Sequence, residues 1–220
     1  MRRPNVLAVV VASLVLLAGC RSSTKSTSGS SSSSSSSSAQ SPTAGQLGPE
    51  GVLLEAGSPL APASASAQGS PIHGIQCGGT EQFVKHVHAH LAVYVNGKPA
   101  QVPPGIGLLT PAAVPGQASF YTATRCFYWL HTHAGDGIIH IESPSATRVF
   151  TLGDFFAEWR QPLSTKQVGQ ARGAVTVFVN AKRWSSDPNA IPLQAHSVIQ
   201  VDVGSPVVPP QNVEFGGRGL

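Results

Sequence analysis

From Val87 to Val95 the chain alternates. Val87, Ala89, Leu91, Val93 and Val95 take the odd positions, and His88, His90, Ala92 and Tyr94 the even ones. Successive side chains of a β-strand point to opposite faces, so this segment predicts a strand with an apolar face toward a core and a histidine face away from it. Asn96-Gly97 follows, the kind of pair a two-residue type I′ turn requires because both positions take positive φ, and the chain returns from Lys98 as a partner strand until Pro103-Pro104 ends it. A second pattern lies downstream, where Trp129 to His133 and Ile138 to Glu142 flank Ala134-Gly135-Asp136-Gly137. A tight turn centred on Gly135-Asp136 pairs His133 with Ile138, His131 with His140, and Trp129 with Glu142, which gathers three imidazoles, a carboxylate and an aromatic ring on one face. A loop one residue longer turns His140 and Glu142 to the other face.

The helical period shows once. Thr151 is placed to cap a short helix, Asp154 favours its positive end, and Leu152, Phe155, Phe156 and Trp159 form an apolar stripe that reads as core. Gln161-Pro162 stops it. Val175 to Lys182 (VTVFVNAK) then echoes Leu91 to Lys98 (LAVYVNGK), with Ala181 in place of a glycine, and a last strand runs from His196 to Val203. These elements predict an α+β domain, built mainly from antiparallel β-hairpins with one short helix packed on the sheet.

The ends of the chain have a different character. Met1-Arg2-Arg3 is a positive start, Val6 to Leu17 an apolar run too short to span a bilayer comfortably, and Leu17-Ala18-Gly19-Cys20 follows at once. This resembles the bacterial lipoprotein signal, whose lipobox ends in a cysteine that is acylated. The resemblance implies a signal peptide over residues 1–19, a lipid on Cys20, and a location on the extracytoplasmic face of the cell membrane. Residues 20–70 are rich in Ser, Gly, Pro, Ala and Thr and include an unbroken serine run from Ser30 to Ser38, a composition that predicts a disordered tether; Gly51 to Pro62 is a little more apolar. The folded domain is expected over residues 71–215, with a tail at 216–220.

Charge excludes one partner class. Without Arg2 and Arg3 the chain carries 12 basic against 10 acidic residues and no basic run in the domain, so nucleic acid is not expected. In an exported domain the two remaining cysteines, Cys77 and Cys126, read as one disulfide; the alternative makes one of them a metal ligand.

Six of the eight histidines fall between residues 86 and 140, as His86, His88, His90, His131, His133 and His140. Clusters of neutral imidazole on strand faces suit Cu(II) or Zn(II), with Fe(II) also accommodated, whereas a methionine-rich copper carrier is excluded because Met1 is the only methionine. All six are candidate ligands, with Glu142 and Asp136 as orienting groups or as candidate general bases. His73 and His196 stand alone and read as ordinary satisfied residues. Six imidazoles exceed the need of one ion, so a dinuclear centre is open. Three functional classes follow: a metal-binding module outside the membrane, a metalloenzyme of the non-haem iron oxygenase or zinc hydrolase type, and a surface interaction module without metal. No GxSxG or Cys/His nucleophile arrangement competes with them.

The segments HVHAHLAVYVNGKP, CFYWLHTHAGDGIIHIESP, FTLGDFFAEW and IPLQAHSVIQVDVG are similar to a group of exported or membrane-anchored proteins of bacteria and archaea that share HxHxHL and LHTHxxxGIIHIE elements. The resemblance spans residues 77–206. It implies an intact domain in which the six histidines and Glu142 matter, and it assigns no reaction.

Overall fold

The computed structural model describes residues 45–216 and 219–220, so the expected signal peptide, Cys20 and the serine run lie outside the described residues. Among the described residues the strands are, in chain order, β1 (Cys77–Gly78), β2 (Lys85–Val95), β3 (Lys98–Ala100), β4 (Leu108–Ala113), β5 (Tyr121–Tyr128), β6 (Leu130–His131), β7 (Ile138–Ser143), β8 (Gln167–Val168), β9 (Ala171–Arg172), β10 (Val175–Val179), β11 (Lys182–Trp184) and β12 (Val198–Val203), with a single α-helix, α1 (Leu152–Trp159), between β7 and β8. The expected α+β class is therefore corrected to a β-rich fold. The helical period is confined to one eight-residue segment, and the described chain otherwise builds several sheets.

The main sheet runs β11-β10-β12-β2-β7-β6, with β3 also paired to β2. Both echoing segments do turn as hairpins: Asn96 and Gly97 take φ 51° and 75°, and Asn180 and Ala181 take 48° and 62°. They are not neighbours. β12 lies between β10 and β2, antiparallel to the first and parallel to the second. A smaller sheet, β1-β5-β4, carries the Cys77–Cys126 disulfide.

On β2, Ala89, Leu91 and Val93 enter the core with Ile139 and Ile141 of β7, Ile199 and Val201 of β12, and Leu152, Phe155, Phe156 and Trp159 of α1. Thr151 caps that helix reciprocally with Asp154, and Arg160 ends it in the left-handed conformation, before Pro162 is reached. The opposite face of β2 and β7 holds the histidines, and it too is covered, with His88 and His140 only 3% and 6% exposed.

The segment expected to be tether also packs on the fold. Val52, Leu54, Leu60, Ala61 and Ala67 are buried, the Leu60 amide donates to the Gln101 carbonyl and the Gln101 amide to the Ser58 carbonyl, and the Trp159 indole N–H donates to the Pro62 carbonyl. Residues 45–70 thus belong to the folded unit, because the apolar side chains sparsely placed in them fill gaps left by strands and helix.

The disulfide joins positions 49 residues apart in sequence, with Cα atoms 5.3 Å apart. Closing a loop of that length restricts the unfolded chain, so reduction and alkylation are expected to lower stability by about 2–4 kcal/mol, read as a shift in the denaturant midpoint against the oxidised protein. An unchanged midpoint contradicts this role.

Candidate metal centre

Three adjacent strands place the site. β7 runs between β2 and β6, and the register sets His86 opposite Glu142, His88 opposite His140, and His131 opposite His140. Each shared residue of the middle strand therefore sees imidazoles from its neighbours. His133 lies beyond the β6 ladder, but its ring swings back so that its Nε2 lies 3.1 Å from Nε2 of His131. Two groups of donors result, each with atoms within 4.8 Å of one another: His86, His88, His140 and Glu142; and His131, His133, His140 and Glu142.

The second group shows what it lacks. His131 Nδ1 lies 2.9 Å from the Tyr128 carbonyl oxygen, and His133 Nδ1 lies 2.6 Å from that of Tyr121. A carbonyl only accepts, so both Nδ1 atoms carry the proton and donate it. Burial holds the protonated form of both rings down, His131 well below the usual histidine range and His133 to about 4, so at neutral pH neither Nε2 bears hydrogen. Two lone pairs thus face each other with no proton between them. Glu142 Oε1, 3.8 Å from His131 Nε2, and Glu81 Oε1, 3.5 Å from His133 Nε2, add further acceptors. A cation is the group that satisfies such a cluster. The separation of 3.1 Å is close to the roughly 3.3 Å edge of a tetrahedron with 2.0 Å metal–nitrogen bonds, and backbone carbonyls on the remote nitrogens are the usual way a ligating histidine is oriented. These residues fit a metal ion.

His140 differs. Its Nε2 donates to Glu50 Oε1 at 2.6 Å, and its Nδ1 is 3.2 Å from Glu142 Oε1 and 3.0 Å from His88 Nε2. Burial opposes its charge, but hydrogen bonds to both carboxylates and their charges prevail and raise it to about 9. Burial, followed by the charge of His140, pushes His88 down to about 3. His140 is thus held as a cation between the Glu142 and Glu50 carboxylates.

Glu50 was not among the expected site residues. Its only signal is that Glu50 and Glu55 are the sole charged side chains between Lys25 and Glu81, inside a stretch otherwise read as tether. In the fold Glu50 is 7% exposed and its carboxylate reaches the centre across 90 residues of sequence.

Other expected residues fall elsewhere. His90 belongs to neither donor group, since β2 sets it opposite Ile138, two residues nearer the turn; burial lowers it to about 4 and its Nδ1 has no partner among the described residues. Asp136 also stays outside, its Oδ1 accepting from the Ile138 amide, and burial followed by the charge of Glu50 raises it to about 8. Glu142, the candidate base, is itself a donor in both groups. Cys77 and Cys126 are bonded to each other and are not ligands. His73 pairs with Asp154 at 3.0 Å; His196 packs on Phe215 and its backbone amide donates to the His88 carbonyl, but its side chain belongs to neither donor group.

A pocket of about 520 Å³ reaches the centre from one side, lined by Glu50, His86, His88, His140, Gln117 and Phe120 among others. Phe120 stacks on His133 with ring centres 4.5 Å apart and so shields that ring. Comparison with protein-family models, curated proteins and solved structures finds no match, so function is argued from this geometry.

Proposed function

We propose that the chain is a membrane-anchored, extracytoplasmic metal-binding lipoprotein, held by lipid on Cys20, that takes Cu(II) or Zn(II) on His131, His133, His140 and Glu142. The observation that carries the metal reading is the pair of buried Nε2 atoms 3.1 Å apart among carboxylates, on rings whose Nδ1 atoms face backbone carbonyls. The choice of ion rests on donor chemistry, three imidazoles and one carboxylate with no sulfur. The anchor rests on the lipobox resemblance, and replacing Cys20 by Ser is expected to abolish incorporation of labelled palmitate and release the chain from membranes; unchanged labelling contradicts it. Once bound, either ion is a Lewis acid. The protein's own part is to orient the ring nitrogens and to keep bulk water from His131 and His133.

Loading has a proton cost. His140 holds a proton up to about pH 9, and a metal replaces it, whereas His131 and His133 are already neutral near pH 7. Calorimetric titration with Zn(II) in buffers of different ionisation enthalpy is expected to show one proton released per chain at pH 7, and the apparent affinity of the step that engages His140 rising about tenfold per pH unit until His140 is deprotonated. Binding with no proton release contradicts the participation of His140.

A further inference from the structure

We infer that the centre holds two divalent ions in unlike positions: a closed one at His131 and His133, and a second, exchangeable one on the pocket side at His86 and His88, with the Glu142 carboxylate between them. This rests on the metal-binding reading above and goes beyond it in number and accessibility.

Distance is the first argument. Each donor group is compact within 4.8 Å, yet the six residues do not merge into one such group. The donors of a single ion with bonds of 2.0–2.1 Å lie at most about 4.2 Å apart, so one ion cannot take every imidazole present. Topology is the second. The shared residues, His140 and Glu142, stand on the middle strand of three, and a separate histidine pair is supplied from each side, by β2 and by β6 with the residues after it. Glu142 faces both pairs: its Oε1 is 3.2 Å from His86 Nε2 and 3.8 Å from His131 Nε2, while its buried Oε2 has no hydrogen-bond partner among the described residues. Glu50, which lines the pocket, likewise keeps a buried Oε2 without a partner among the described residues. A carboxylate with one spare oxygen on each of two residues is surplus to a single-ion site.

Exposure separates the two positions. The His131 side chain is fully buried, whereas His86 is 36% exposed, and the 520 Å³ pocket is lined by His86 and His88. An ion on that side has an entry path and retains open coordination toward the pocket; the ion between His131 and His133 is covered by Phe120 and the strands.

The test is zinc stoichiometry of the full chain, measured by elemental analysis after loading and gel filtration, then again after brief exposure to a chelator. Wild type is expected to hold two zinc ions per chain and to surrender one rapidly. His86→Ala, at a partly exposed position where folding is not at stake, is expected to hold one, resistant to the chelator. One zinc in both proteins overturns the second position while leaving the metal-binding reading intact. Two in both removes His86 from it. No zinc in either overturns the metal-binding reading itself.

Discussion

A chain that begins at residue 71 is expected to lose most of its stability and its metal centre, whereas one that begins at Gln40 keeps both. Residues 45–70 insert Val52, Leu54, Leu60, Ala61 and Ala67 into buried positions, accept the Trp159 indole at Pro62, and deliver Glu50 to His140. Removing them exposes apolar surface of the remaining core and leaves a buried imidazolium short of one of its two carboxylates; breaking a buried pair in this way typically costs about 3–5 kcal/mol. That is a large share of the roughly 5–15 kcal/mol by which a domain is stable. A point substitution reads the same contact without deleting backbone. Leu60→Ala is expected to cost about 2–4 kcal/mol in denaturant unfolding, where a side chain on a free tether changes stability by less than about 0.5 kcal/mol. A value near zero, with an unchanged melting profile for the chain from residue 71, contradicts the docking.

His133→Ala is expected to weaken metal binding by about 100-fold or more. Loss of a group that merely orients a ligand already costs about 10–100-fold, and His133 is placed as a ligand itself, with Nδ1 committed to the Tyr121 carbonyl and Nε2 turned to the centre. Competition against a chromophoric chelator measures the change, and His73→Ala, on the surface beside Asp154, is the control expected to bind as the wild type does. Equal affinity for the His133 and His73 variants contradicts the assignment.

Much of this centre was legible in the sequence because its logic is local. Period two in Val87 to Val95 and Ile138 to Glu142 separates imidazoles from core residues, and the short Ala134-to-Gly137 connection brings His131 opposite His140. The Thr151 cap and the Cys77–Cys126 bond follow from equally short-range or counting arguments. Four features were not legible, each for a non-local reason. The parallel pairing of β12 with β2 depends on a long connection that leaves no periodic mark, and the β-rich class emerges only when short segments such as β1, β6, β8 and β9 find partners. Docking of residues 45–70 is decided by gaps in the surface beneath them, so a Ser- and Pro-rich composition concealed it, and Glu50 with it. His90 shares the alternation of His86 and His88 but stops short of the centre because alternation specifies a face and not a position along it.

The buried centre also changes how a histidine variant is to be read. The histidine face that carries His88 was expected to point away from the core, where alanine is cheap; His88 is instead covered, as are His131 and His133, so their variants need an unfolding curve beside every binding curve.

The most direct measurement is elemental analysis of the untagged full chain, purified from an oxidising compartment, beside its His131→Ala/His133→Ala double variant. The account predicts at least one copper or zinc ion per wild-type chain and its loss from a double variant that still unfolds cooperatively. A wild-type chain that takes up no metal after incubation with either ion, or a double variant that retains the wild-type content, would contradict it.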